Sequence, residues 1–179
     1  MRKIVLYIAM SLDGYLADPK GGVSWLVGDG SNPHHEGTYE SFLATVGTLV
    51  MGSTTYHQLR YELSPDHWPY DQIQTYVLSH QPSEALDTVT LINTPIVPFL
   101  TELKSMEGKD IWLVGGANVL HQALENPTLI DRYHIAIIPR ILGDGIRLFS
   151  NGIASIPLRW IRSEEYNGIV ELIYEPLEQ

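Results

Sequence analysis

The sequence contains no cysteine, so it can build neither a disulfide framework nor a thiolate metal site, and nothing in it requires an oxidising compartment. Positive charge is scarce as well. Eleven lysines and arginines stand against 21 aspartates and glutamates, a formal net charge of −10. Such a surface repels a phosphate backbone and lacks the cations that counterion release needs, which argues against a nucleic-acid partner. Long apolar runs are also missing. No stretch reaches the roughly 18–20 residues of a membrane span, and only Arg2 and Lys3 precede the first strand-like run, unlike a targeting segment. The expectation is a cytoplasmic protein that works on a small molecule away from membranes. There is no internal repeat, low-complexity tract or linker, and 179 residues suit a single domain over 1–179 with one continuous core.

Short apolar, β-prone runs are what the chain does contain. Residues 3–9, 48–51, 75–78, 89–92, 110–114 and 133–138 are each bounded by Gly, Pro, Asn or Ser, as strands buried on both faces are. Segments of helical length alternate with them at 36–46, 53–60, 95–106 and 118–125. Thr94 reads as an N-cap before Pro95, Gly108 as a helix end, and Asn126-Pro127 as the stop of the fourth helix. Past Pro139 two alternating runs, 158–163 and 169–174, flank Asn167-Gly168, a type I′ hairpin signal. The second run is also a candidate dimer interface. This order predicts an α/β fold with a mostly parallel central sheet flanked by helices and closed by a C-terminal antiparallel hairpin. Ligands of such folds bind at the carboxyl ends of the strands.

Three segments carry candidate chemistry at those ends. Val114-Gly115-Gly116-Ala117-Asn118-Val119 runs from a strand through a glycine pair into a helix, which lets backbone N–H groups approach a phosphate without a lysine. A plain tight turn would look the same. Met51-Gly52-Ser53-Thr54-Thr55-Tyr56 repeats the design with three hydroxyls, where simple capping is the alternative. Two anion sites together suggest a ligand bearing a pyrophosphate. Ser11-Leu12-Asp13-Gly14 ends the first strand and offers Asp13 as the best placed carboxylate, although Asp-Gly is equally a turn. No Walker lysine follows a glycine loop, and Gly143-Asp144-Gly145 lacks the Rossmann context. His34, His35 and His57 show no metal-ligand spacing, so no metal site is expected, and His67, His121 and His134 receive no role.

The ordered set Ala9-Met10-Ser11-Leu12-Asp13-Gly14, Met51 to Tyr56, Tyr76-Val77-Leu78-Ser79, Val114-Gly115-Gly116-Ala117 and Gly143-Asp144-Gly145-Ile146-Arg147-Leu148-Phe149 resembles the bacterial riboflavin-type deaminase/reductase C-terminal family. That family belongs to the dihydrofolate reductase-like superfamily, and the likeness spans about residues 2–175. The resemblance implies a three-layer dihydrofolate reductase-like fold and NADPH, with NADH as the alternative, held by the turns after Met51, Leu78 and Val114. Ala9, Gly52, Ser53, Thr54, Thr55, Ser79, His80 and the stretch from Val114 to Val119 would touch the cofactor, the Gly115-Gly116 peptide being commonly cis in relatives. Asp13 would sit beside the substrate as anchor or proton relay, and Trp25 and Tyr56 would line its pocket. The implied activity is hydride transfer to a small heterocyclic, pteridine- or aminopyrimidine-like, or carbonyl substrate. The alternative is a catalytically weak nucleotide-binding or regulatory homodimer.

Three departures bear on that expectation. Ser24 precedes Trp25 where relatives often carry an acid, Glu36 and Glu40 both fall where dihydrofolate reductases place a carboxylate, and no arginine or lysine joins Ser53, Thr54, Ser79 and His80 to select a 2′-phosphate. With no cysteine, the zinc deaminase half of bifunctional relatives is not expected.

Overall fold

The computed structural model describes residues 1–35, 37–80 and 86–177. Eight strands form one sheet: β1 (Ile4–Ser11), β3 (Val46–Gly52), β4 (Gln74–Leu78), β5 (Val89–Ile92), β6 (Asp110–Gly115), β7 (Arg132–Ile138), β9 (Leu158–Tyr166) and β10 (Ile169–Pro176). Their order is β5-β4-β3-β6-β1-β7-β10-β9. The first six run parallel, β10 pairs antiparallel to β7, and β9 pairs antiparallel to β10. This is the α/β architecture that the strand pattern predicts. Two short strands that pattern misses, β2 (Tyr15–Ala17) and β8 (Ile146–Arg147), make a separate ribbon.

Both faces of the parallel strands are covered, which is why they read as continuous apolar runs. On one face Ile4, Leu6 and Leu113 meet Leu100 and Leu103 of α3 (Ile96–Ser105) and Leu120 and Ala123 of α4 (Ala117–Ala123). On the other, Val5, Leu49, Met51 and Trp112 meet Phe42 of α1 (Tyr39–Leu43) and Tyr56 of α2 (Ser53–His57). Three layers result.

Several helix boundaries differ from expectation for local reasons. The first helix begins only at Tyr39, because Gly37 has φ +66° and cannot join it; Glu36 lies outside the described residues. The second passes at Gln58 into a π-helical turn, Gln58–Leu63. Pro95, not Thr94, caps the third. Pro95 has ψ 134°, outside the helical range, while its carbonyl accepts the first helical bond from Phe99 N (3.3 Å), so the proline precedes the first turn rather than opening it. The fourth ends at Ala123, three residues before Asn126.

The hairpin turn is as predicted, with φ +50° at Asn167 and +73° at Gly168 joining Tyr166 to Ile169. However, β10 is flanked on both sides, so the free edge belongs to β9, where Trp160 is 59% exposed. Residues 28–32 and Gly37 lie against this turn. Asp29 N donates to Asn167 O (2.9 Å), and Gly30 N and Asn32 N donate to Asn167 Oδ1 (2.9 and 3.2 Å). Gly28 and Gly37 permit the approach, since a Cβ would meet Asn167 Nδ2 at 2.2 Å and the Tyr166 ring at 2.3 Å. No helix among the described residues is long and apolar enough to cross a membrane.

Candidate functional site

A cavity of about 530 Å³ opens across the carboxyl ends of four adjacent strands. Ile8 and Ala9 come from β1, Val114 and Gly116 from the end of β6, Gly52 from β3, and Leu78, Ser79 and His80 from the end of β4. Three strand spacings separate β1 from β4, about 14 Å, so the cavity suits an extended ligand lying across the sheet. The first turns of α2 and α4 supply Ser53, Thr54, Thr55, Ala117, Asn118 and Val119. Both helices start without a side-chain cap, which leaves backbone donors at these turns for a ligand.

Space is tight where the two turns converge. A Cβ on Gly116 would stand 3.2 Å from Thr55 Oγ1, and one on Gly52 would stand 3.1 Å from Val119 Cγ2. The space a side chain would fill is therefore cavity. The Gly115-Gly116 peptide is cis, as the resemblance implies, and Gly115 has φ +106°. Of the residues expected at a cofactor, all line this cavity except Gly115, whose Cβ position faces Ile8 Cδ1 at 3.3 Å instead. His80 is held by a 2.6 Å contact between its Nδ1 and Asn93 Oδ1.

The β1 end of the cavity is apolar. Leu16 and Ala17 of β2, Gly21, Val23 and Leu26 of the following loop, and Ile146 of β8 close over it. The ribbon brings these together: Gly145, at φ +148°, lies so close to Ala17 O that a Cβ would sit 2.1 Å from it. From α2, Gln58 reaches the loop and donates Nε2 to Gly21 O at 2.9 Å. Sequence reasoning missed Leu16, Val23, Leu26, Gln58 and Ile146, because contacts between an irregular loop and a two-residue strand leave no periodic signal.

Three residues expected at the substrate do not line this cavity. Trp25 is 6% exposed and donates Nε1 to Gly22 O (3.1 Å), closing its own loop. Tyr56 is 1% exposed and packs edge to face on Trp68, because it sits on the side of α2 turned to the sheet while Ser53 and Thr54 face the cavity. Asp13 is outside the cavity lining, and its carboxylate is fully engaged. It accepts from Ser11 Oγ (2.6 Å), Leu142 N (3.1 Å) and Gly143 N (2.7 Å). The Ser11 hydroxyl first, and then these two backbone donors, hold its pKa down to about 2. An acid so weakly protonated is a poor proton donor near neutrality, and the geometry makes it a latch between the turn after β1 and residues 140–145. Asp13→Asn should quicken amide hydrogen exchange at Leu142 and Gly143 severalfold, while affinity for a ligand in the cavity stays within about twofold. Glu40 is exposed and off the cavity, and Glu36 is outside the described residues.

A second polar cluster, not anticipated from sequence, lies beneath α1. Glu171 of β10 has no exposed surface. Its Oε2 meets His134 Nε2 at 2.8 Å and accepts from the Thr38 hydroxyl, and its Oε1 accepts from Tyr166 (2.6 Å) and Tyr7 (3.1 Å). Burial opposes its ionisation, yet the bonds from His134, Thr38 and Tyr166 prevail and hold its pKa at about 2. No group of three or more His, Asp or Glu placed to hold a metal ion occurs among the described residues.

The match to a family model decides what this architecture belongs to: residues 2–170 fit the model of the RibD C-terminal domain. The chain belongs to the RibD C-terminal domain family. Among curated relatives of this family member, the uncharacterized protein YwjB of Bacillus subtilis (strain 168) is 36% identical over 177 residues, 97% of each chain. The uncharacterized protein YyaP of the same organism is 27% identical over 183 residues, 97% of this chain and 94% of that one. Among solved structures, a candidate riboflavin biosynthesis protein from Shewanella sp. PV-4 superposes with a TM-score of 0.81 at 30% identity, covering 99% of this chain and 100% of that one. A Thermotoga maritima protein is described as a diaminohydroxyphosphoribosylaminopyrimidine deaminase/5-amino-6-(5-phosphoribosylamino)uracil reductase. It shares the fold at a TM-score of 0.69 and 15% identity, with 98% of this chain covering 57% of it. The RibD C-terminal domain thus carries here the reductase-type fold, and sequence recognition of the family from five ordered motifs was correct.

Proposed function

We propose that this chain is a reductase whose strand-end cavity binds a nicotinamide dinucleotide, NADPH with NADH as the alternative, and serves hydride transfer to a small heterocyclic or carbonyl substrate. The observation that carries it is the wall of the cavity itself. Two uncapped turns rich in glycine and hydroxyls, after β3 and β6, stand side by side with Ser79 and His80 at the far end. Backbone N–H groups and hydroxyls of Gly52 to Thr55 and Gly116 to Val119 would hold the pyrophosphate, and Ser79 and His80 the adenosine end. Ala9 and the apolar β1 end would receive the nicotinamide. When bound, the cofactor supplies the hydride. The chain supplies orientation, and its aliphatic wall excludes water from the reacting carbon.

A binding module without turnover is the second reading. It is favoured by the lack of any carboxyl among the described lining residues and by the engagement of Asp13 elsewhere. Titration calorimetry with NADPH and NADH tests both at once: saturable binding of at least one is expected, and binding of neither refutes the dinucleotide site. Consumption of NADPH on adding a substrate separates reductase from module. We further propose a cytoplasmic homodimer built on the exposed β9 edge, which sedimentation velocity checks.

A further inference from the structure

Positive charge is unevenly placed on the sheet. All eleven lysines and arginines lie among the described residues. Arg2, Lys3, Lys109 and Arg132 stand at the amino ends of β1, β6 and β7, away from the strand-end cavity, and Lys104 joins them there through Asp131 (2.7 Å). Toward the carboxyl ends, Arg147 lies over the Tyr15 ring at 4.7 Å and donates to the Tyr15 hydroxyl (3.0 Å), while Arg60 donates to Pro65 O (3.3 Å). Lys20 and Arg140 are exposed. None of the eleven lines the cavity, and the sequence that follows His80, Gln81 to Ala85, holds one acid and no cation.

NADPH differs from NADH by a phosphate on the 2′ oxygen of the adenosine ribose. Selecting that phosphate takes charge-assisted bonds from arginine or lysine, each worth about ten- to a hundredfold in affinity. On the dinucleotide reading above, the ribose lies by Ser79 and His80, and His80 presents the wrong polarity for a phosphate. Asn93 Oδ1 can only accept, so Nδ1 of His80 carries the proton of their 2.6 Å contact, and Nε2 of the neutral ring is an acceptor. An acceptor receives the hydrogen of a bare ribose hydroxyl and offers a phosphate oxygen nothing. A phosphate brought here loses hydration and gains no cation, in a chain of net charge −10. Turning the ligand end for end changes nothing, because the β1 end has no cation either. No carboxylate lines the cavity among the described residues, so the preference for the bare hydroxyl is modest.

We infer that this cavity does not select the 2′-phosphate: it binds NADH at least as tightly as NADPH, with His80 Nε2 accepting from the ribose 2′-hydroxyl. This reverses the order of the two cofactors proposed above and rests on the dinucleotide reading itself, so the experiment separates the two.

The full chain is titrated with NADH and with NADPH by calorimetry at pH 8, at about 50 and about 300 mM salt. NADH should bind as tightly as NADPH or up to about tenfold more tightly. Added salt should weaken NADPH no more than NADH, because the extra phosphate has no cation to be screened from. His80→Arg sets a guanidinium at the 2′ position and should invert the order, NADPH gaining at least about tenfold on NADH. Ser79→Arg, on the same wall, is the second variant should the first fail a thermal melt. NADPH binding more than about threefold tighter than NADH to the parent, or losing affinity more steeply with salt, overturns the inference. So does a folded arginine variant in which NADPH gains nothing. Binding of neither dinucleotide to the parent instead overturns the dinucleotide reading, and this inference with it.

Discussion

Replacing Glu171 with alanine is expected to cost about 3–5 kcal/mol of stability, the usual price of breaking a buried, hydrogen-bonded charge pair. For a domain of this size that is a fall of about 6–20 °C in the thermal midpoint, read by differential scanning calorimetry. The carboxylate joins Thr38 before α1, Tyr7 of β1, His134 of β7 and Tyr166 of β9. Removing it leaves these groups buried without their acceptor. Because the Tyr166 ring also backs Gly37, the backbone just before α1 should loosen together with the hairpin. A thermal midpoint within about 2 °C of the parent would show that the cluster is not a stabilising joint.

The pH dependence has a definite sign. Glu171 has a folded pKa of about 2 against an unfolded value of 4.5. Its contribution is therefore complete above the unfolded value and is lost as pH falls from about 4.5 through about 2, on the order of 3 kcal/mol in all. Asp13 is depressed in the same direction, so the parent's acid sensitivity has more than one source. Glu171→Gln isolates one of them: its urea-unfolding free energy should be lower than the parent's at pH 7 and should converge on it as pH approaches 2.

Strands β1, β3, β4, β5, β6 and β7 were legible because burial on both faces writes a continuous apolar run that length and flanking glycines separate from helix. The hairpin was legible because Asn167-Gly168 is one of few pairs that tolerate two positive φ angles. Glu171 was not. In the run Ile169-Val170-Glu171-Leu172 it reads as the solvent-facing member of an alternation, whereas Val170 is the exposed one and Glu171 is enclosed. Its burial depends on Thr38, His134 and Tyr7 arriving from three distant places in the chain, which no local pattern records.

The site divides the same way. Residues on strand-to-helix turns, Gly52 to Thr55 and Gly116 to Val119, were found because a strand end followed by glycine or hydroxyl is a local signal. Asp13 carried an equally local signal, but Asp-Gly serves turns as readily as catalysis, and the bonds to Leu142 and Gly143 that engage its carboxylate span about 130 residues. Trp25 and Tyr56 were assigned by resemblance, and the direction each side chain takes is a matter of packing rather than motif.

Gly115 and Gly116 should separate folding from binding. Gly116 has φ −76° and ψ −155°, an extended conformation open to any residue, so Gly116→Ala strains no backbone. Its methyl group would instead enter the cavity 3.2 Å from Thr55 Oγ1, between the two turns proposed to hold the pyrophosphate. The expected result is a near-parental thermal midpoint with dinucleotide affinity reduced by about tenfold, about 1.4 kcal/mol, and by about a hundredfold for Gly116→Val. Gly115 has φ +106°, which a side chain resists, and it does not line the cavity. Gly115→Ala should therefore cost about 1–3 kcal/mol of stability. NADPH titration followed by tryptophan fluorescence, alongside thermal melts, distinguishes the pair. Parental affinity in a folded Gly116→Val would mean that phosphates do not pass between α2 and α4, and the dinucleotide reading of the cavity would fall.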